Sequence, residues 1–267
     1  MKVKKNLFKI LISLASLLLI GGCTNRADRD LSDYNKNQQI YLYGEIHGQE
    51  DLVAREYELW HSYYHQHGMR NLFLELANFE AGLLNLWLET GDDEILRLLA
   101  IDYGDVSGAN YYKDFLEKIR DECPETVFYG TDISYFSDSL GEAYLGYLKE
   151  SESVNEEEIQ RVKQVMEDGN YRNATYEKYL NTDIAVHYIR KMADFREEKL
   201  VENFIYELDR LEDKRIMGIY GAYHVSNPQN QDFGDDPIMA IQLTEHYGDI
   251  IFKEILADNS HFNKRWE

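Results

Sequence analysis

Basic residues are scarce. The chain of 267 residues carries 28 lysines and arginines against 49 aspartates and glutamates, a formal net charge of −21. Such a surface repels phosphate backbones and anionic head groups, which argues against nucleic acid or anionic lipid as an electrostatic partner. Cysteine is scarcer still, with Cys23 and Cys123 alone. Also missing are the G-x-S-x-G elbow of serine hydrolases, the phosphate-binding P-loop and the dinucleotide fingerprint, so none of those three chemistries has its usual sequence support.

What is present begins at the amino terminus. Lys2, Lys4, Lys5 and Lys9 stand in a stretch without acidic residues, followed by an apolar run from Ile10 to Ile20 that is too short to span a bilayer. It closes in Leu19-Ile20-Gly21-Gly22-Cys23, which resembles the lipobox of bacterial lipoproteins. That likeness implies a signal peptide over residues 1–22, cleavage before Cys23, and a lipid, including palmitate, on its thiol. The domain is then expected outside the cytoplasm, held to the cell membrane by its lipid. Cleavage leaves 24 basic against 49 acidic residues, a net charge of about −25, so attachment has to come from the lipid chains. With Cys23 modified, Cys123 is the one remaining thiol and no intramolecular disulfide forms. Cys123 reads as a small buried apolar residue. The remaining 245 residues suffice for one large domain.

Residues 23–39 are polar and free of apolar periodicity, as a tether would be. From residue 40 to 267 a single α/β domain is expected. Short β-prone runs recur at Ile40 to Tyr43, Asn71 to Leu76, Thr126 to Tyr129, Ile216 to Tyr220 and Ile250 to Ile255, with helix-like sequence between them. This alternation predicts a mostly parallel sheet flanked by helices. Leu52, Val53, Tyr57, Trp60 and Tyr64 share one helical face, and Gly68 is a fitting stop. Residues 137–211 read almost wholly as amphipathic helix, a helical insertion or lid over the sheet.

Four of these runs end in polar residues: Glu45 and His47 after the first, Glu75 at the second, Asp132 after the third and His224 after the fourth. Ligands of open α/β sheets bind along the carboxyl edge of the strands, where residues distant in sequence converge. Gly44-Glu45-Ile46-His47 and Gly221-Ala222-Tyr223-His224 share the form G-x-x-H. The glycine is expected to let the backbone turn sharply and present the histidine to the crevice. Histidine titrates near neutral pH and also binds metals, while Glu45 or Glu75 can orient it, take a proton or join a metal shell. The residue types alone leave these roles open.

Gly44-Glu45-Ile46-His47-Gly48, then Gly68 to Glu75, resembles the opening of the erythromycin esterase-like proteins and their wider relatives, which include the ChaN-like haem-binding lipoproteins and the TraB and Tiki proteins. Phe128-Tyr129-Gly130-Thr131-Asp132, Arg196-Glu197-Glu198-Lys199-Leu200-Val201-Glu202-Asn203 and Ile219 to Val225 are similar to later motifs of the esterase branch, in matching order. The resemblance implies a hydrolase that cleaves an ester or related bond in a small molecule by activated water. Its site would comprise His47 as general base, Glu45, Glu75, Arg196 and His224, with Arg196 or His224 meeting the developing oxyanion. Asp132 and Arg55 are candidates for substrate binding. One residue separates Glu45 from His47 where the esterases usually have two, a spacing closer to the ChaN-like form.

Two other classes follow from the same group: a metal-dependent peptidase of the TraB/Tiki type, with His47, His224 and a carboxylate holding a divalent metal, and a ChaN-like binder of haem or iron without catalysis. Twenty-one tyrosines include possible haem ligands, but without a defined motif they read as packing residues. His61 and His65, four apart on a helix, with His67 nearby, have metal-binding spacing but no glutamate beside His61 as a zinc protease helix needs, and read as ordinary surface histidines.

Overall fold

Every residue of the first β-prone run is buried, and its side chains alternate between two apolar cores. In the computed structural model of the chain, which describes residues 32–103, 109–134, 138–150, 155–226 and 237–257, this run is strand β1 (Ile40–Glu45). Ile40 and Leu42 pack with Phe73, Phe204 and Leu208 on one side, while Tyr41 and Tyr43 pack with Trp60, Tyr63 and Leu72 on the other. A strand apolar on both faces needs helices on both faces. The expected signal peptide and Cys23 lie outside the described residues.

The other strands are β2 (Asn71–Ala77), β3 (Val127–Asp132), β4 (Ile216–Gly221) and β5 (Ile251–Ile255), close to the spans expected from sequence. They form one sheet in the order β3-β2-β4-β1-β5 with every pairing parallel. Between them run α1 (Glu50–His67), α2 (Asn78–Thr90), α3 (Asp93–Tyr103), α4 (Ala109–Glu122), α5 (Ser139–Glu150), α6 (Glu156–Tyr179), α7 (Ala185–Asp209), α8 (Ala222–Val225) and α9 (Met239–Tyr247). Helix α1 buries Leu52, Val53, Trp60 and Tyr64 and stops at Gly68, whose φ of 67° is left-handed. Glycine adopts that conformation without steric cost. No helix among the described residues is long and apolar enough to cross a membrane.

Two parts of the chain pack more closely on the domain than their sequence suggests. The stretch 137–211 is largely helical in its described residues, and α7 packs directly on one face of the sheet: Leu200, Phe204 and Leu208 complete the core with Phe73 and Tyr220. Residues 33–35, expected in the tether, bind the domain. Tyr43 donates its hydroxyl to Asp33 Oδ2 (3.0 Å), the Asn35 amide donates to Tyr41 Oη (2.9 Å), and the Tyr34 ring stacks on His67 at 3.9 Å.

The register sets the carboxyl edge of the sheet. Glu45 pairs with Gly221, so β1 and β4 end level with each other. Beside them β2 slips against β3: Leu74 pairs with Gly130 but Ala77 with Asp132, so Glu75 and Leu76 occupy an irregularity of the ladder. Bulges of this kind re-aim side chains at strand ends. Gly130 makes the crossing possible, because a Cβ there would lie 2.2 Å from the Ala77 carbonyl oxygen.

Candidate active site

Glu45, His47, Glu75, Asp132, Arg196 and His224 meet at the carboxyl edge, in one chain of contacts centred on Glu75. From its irregular stretch of β2, Glu75 Oε2 accepts the Gly221 amide at 2.5 Å and lies 3.6 Å from His47 Nε2. Its Oε1 accepts Arg196 Nη2 at 2.6 Å and lies 3.2 Å from His224 Nε2. On the outer sides the two histidines are wired alike. His47 Nδ1 is 2.6 Å from Glu45 Oε1, and His224 Nδ1 is 2.6 Å from Glu197 Oε2. A carboxylate at Nδ1 holds the proton there and leaves Nε2 as the exchanging nitrogen.

The glycines of the paired motifs act by their missing side chain. Gly44 and Gly221 lie within strands, and neither has a positive φ, so the expected sharp turn is not their role. A Cβ on Gly44 would lie 2.4 Å from Ile255 Cδ1 and 3.0 Å from Ala222 Cα. One on Gly221 would lie 3.2 Å from both Glu75 Oε2 and His47 Nε2. The first glycine lets α8 close on β1, and the second leaves room for the histidine–glutamate contact.

Arg196, from the middle of α7, neutralises the carboxylates on the β2–β3 side. Its Nε donates to both oxygens of Asp132 at 3.1 Å, and Nη2 also donates to Asp132 Oδ2. Asp132, named from sequence for substrate binding, is thus buried and engaged in holding the arginine. Burial opposes charge on Glu75, but the His224 and Arg196 cations beside it hold its carboxyl well below the usual range. For His224, burial works toward the neutral ring and is outweighed by Glu75 and Glu197, which push its pKa up to about 10. His47 is raised well above its ordinary value in the same way, burial being outweighed by hydrogen bonds to Glu45 and Glu75. The difference between them is access: the His47 side chain is 52% exposed and that of His224 6%.

The expected metal set does not fit this geometry. A divalent ion held by His47, His224 and Glu75 would have to share Glu75 with the Arg196 guanidinium, which already donates to its Oε1. Among the described residues no group of three or more His, Cys, Asp and Glu is arranged to hold a metal. The tyrosines most deeply placed, Tyr41, Tyr43, Tyr63 and Tyr220, are packed in the two cores or hydrogen-bonded there. His65 Nε2 lies 2.9 Å from the Glu122 carbonyl oxygen, and His61 lies 3.6 Å from the Glu122 carboxylate.

Arg55 is not brought into the cluster. It is half exposed on α1 and pairs with Glu254 of β5 at 2.8 Å. Three residues without an assigned role in the sequence do belong to the cluster. Glu197 holds His224 and accepts the Met239 amide at 2.5 Å. Tyr112 donates its hydroxyl to Glu45 Oε1 at 3.0 Å, and Glu56 of α1, 1% exposed, lies within hydrogen-bonding reach of Glu45. Glu197 and Glu56 carry a legible signal, since each interrupts an apolar stripe of its helix: Met192, Leu200 and Phe204 for one, Leu52, Leu59 and Tyr63 for the other.

No family profile matches the chain, and no curated protein sequence matches it. Solved structures do. A mutant of the erythromycin esterase EreC in its open conformation aligns with a TM-score of 0.59 over 81% of this chain and 69% of that one, at 10% identity. A Bacillus cereus protein aligns at 0.54 over 80% and 64%, with 15% identity, and a succinoglycan biosynthesis protein at 0.50 over 81% and 65%, with 12% identity. The chain therefore spans just under two thirds of the length of the Bacillus cereus protein. At such identities the likeness is one of architecture: this α/β domain shares its fold with the erythromycin esterase EreC.

Proposed function

We propose that the domain is a hydrolase of the erythromycin esterase-like type, cleaving an ester or related bond in a small molecule with water activated by His47. One observation carries this reading: two identically wired histidines flank one glutamate at the carboxyl edge, and only one of them reaches solvent. His47 in its neutral form takes a proton from water at Nε2 as the water oxygen adds to the carbonyl carbon, and Glu45 stabilises the imidazolium that forms. The same proton then passes from His47 to the leaving alkoxide as the carbon–oxygen bond breaks. Arg196 and His224, fixed around Glu75, offset the buried carboxylates of the edge without reorganisation, so that less uncompensated negative charge faces the substrate oxygen as charge develops on it. The fold shared with EreC supports the reading.

The test is turnover of a panel of activated esters and lactones by the purified protein and by His47→Asn. Hydrolysis by the unaltered chain, reduced about 10²–10⁴-fold in the variant as loss of a general base requires, is the expected result. No turnover of any member by the unaltered chain overturns it. We also place the domain outside the cytoplasmic membrane on a lipidated Cys23, a reading supported by the basic, apolar and Gly-Gly-Cys segments that precede it. Cys23→Ser should abolish labelling by a palmitate analogue, and labelling that persists would refute the anchor.

A further inference from the structure

Behind the exposed histidine stands a second carboxyl group that the hydrolytic scheme does not use. Glu56 lies on the inner face of α1, in the apolar stripe with Leu52, Leu59 and Tyr63, and is 1% exposed; Glu45 is 3% exposed. Glu45 Oε1 is occupied by His47 Nδ1 and the Tyr112 hydroxyl. Its Oε2 is buried with no hydrogen-bond donor among the described residues, and so is Glu56 Oε1. Two carboxylates packed together in a low dielectric cannot both hold a negative charge, and a single shared proton satisfies both orphaned acceptors. Glu45 has two donors that stabilise its charge, whereas Glu56 rises from an apolar stripe and its Oε1 has no donor among the described residues, so the proton belongs on Glu56.

We infer that Glu56 is a neutral carboxylic acid donating a hydrogen bond to Glu45, and that it is a positioning residue for the Glu45–His47 pair. Burial and the neighbouring Glu45 both push its carboxyl well above the ordinary range, against the opposing pull of His47, which agrees with this placement. The groups facing it are Glu45 from β1, His47 from the loop that follows and Tyr112 from α4. With one Glu45 oxygen held by His47 and Tyr112 and the other by Glu56, the carboxylate cannot rotate away from the imidazole. Part of its charge is also spent on Glu56 rather than on His47. Glu56 therefore tempers how far Glu45 raises the proton affinity of His47, the quantity that decides at which pH the general base becomes available.

The inference rests on the hydrolase reading for its consequence but not for its test, which follows the His47 imidazole by NMR titration of nitrogen-15 histidine, assigned with His47→Asn. In Glu56→Gln the amide donates to Glu45 as the acid does, at the same neutral charge, and the His47 midpoint should stay within about 0.3 of a pH unit. In Glu56→Leu the donor is gone, and the midpoint should rise by about one unit. A shift of about one unit in Glu56→Gln, downward above all, would mean that an ionised Glu56 had been removed and would overturn the inference. So would an unchanged midpoint in a folded Glu56→Leu. Where the leucine variant does not fold, the glutamine variant decides alone. If the unaltered protein gives these titrations yet hydrolyses no ester, the hydrolase reading falls and the role of Glu56 stands.

Discussion

The two histidine arms of the site share one wiring scheme and differ in surroundings. His47 and His224 each follow a glycine by three residues, hold a carboxylate at Nδ1 at 2.6 Å and turn Nε2 to Glu75. His47 sits in the loop between β1 and α1 and meets solvent, while His224 is enclosed by α7, α8 and the strands. On the hydrolase reading proposed above, the exposed arm exchanges protons with a substrate or water and the buried arm serves as a fixed charge. A repeated motif thus prescribes geometry, and its burial assigns the role.

Removing the cation that serves both arms should have the largest effect. Arg196→Met leaves Glu75 and Asp132 buried without their shared partner, and breaking a buried pair on one side costs about 3–5 kcal/mol. Urea denaturation should show that loss together with loss of hydrolysis; a variant as stable as the unaltered chain would mean that the cluster does not depend on this guanidinium.

Next come the arms themselves. His224→Asn leaves Glu197 and Glu75 with unmet hydrogen-bonding capacity and should cost about 1–3 kcal/mol. His47→Asn, at a half-exposed position, should alter stability by less than about 1 kcal/mol while removing hydrolysis. Comparing denaturation midpoints with rates separates a structural arm from a catalytic one. Equal stability losses in the two variants would erase the distinction drawn here.

pH sharpens the same contrast. The folded pKa of His224 is raised to about 10, so its stabilising contribution is complete below the unfolded value of about 6.5 and is lost as pH climbs toward 10. Glu75, lowered in the fold, contributes above the ordinary glutamate range, and that contribution is lost as pH falls. Thermal midpoints should therefore decline from about pH 6.5 to 10, with a shallower decline in His224→Asn. Hydrolysis should move the other way. His47 accepts a proton only when neutral, and its raised pKa places the rise of the rate above neutral pH. A rate that peaks below neutrality would contradict its role as base.

The smallest change is Gly221→Ala. Its methyl group would stand 3.2 Å from both Glu75 Oε2 and His47 Nε2, tight enough to displace the pair by a few tenths of an ångström. Stability should change by about 1 kcal/mol or less and the rate by about tenfold. A rate unchanged in this variant would show that the His47–Glu75 contact has slack.

Much of this arrangement is legible in the amino-acid order. Strand runs rich in Ile, Leu, Tyr and Phe announce a sheet covered on both faces, and Glu45, Glu75, Asp132 and His224 stand out because each ends or closely follows such a run. Arg196 is different. Mid-helix, among Glu197, Glu198 and Lys199, it looks like any solvated charge and is noticed only by resemblance. Its neighbours show why: Glu197 is buried and Glu198 exposed, and a 100° step around the helix is the whole difference. Arg55 and Glu56 make the same point on α1. The arginine is turned outward to Glu254, while the glutamate one position on lies inside against Glu45.

By itself the sequence determined the parallel α/β class, the approximate strands and the residues that gather at their carboxyl ends, because apolar periodicity and strand-end polarity are local properties. Only the tertiary structure decided which histidine meets solvent, that Asp132 holds Arg196 rather than standing free for a substrate, and that Glu56 and Glu197 back the two arms. Those outcomes depend on helix phase, on the slip of β2 against β3 and on side chains packed across the sheet. They arise between segments far apart in the chain, where no local pattern can encode them.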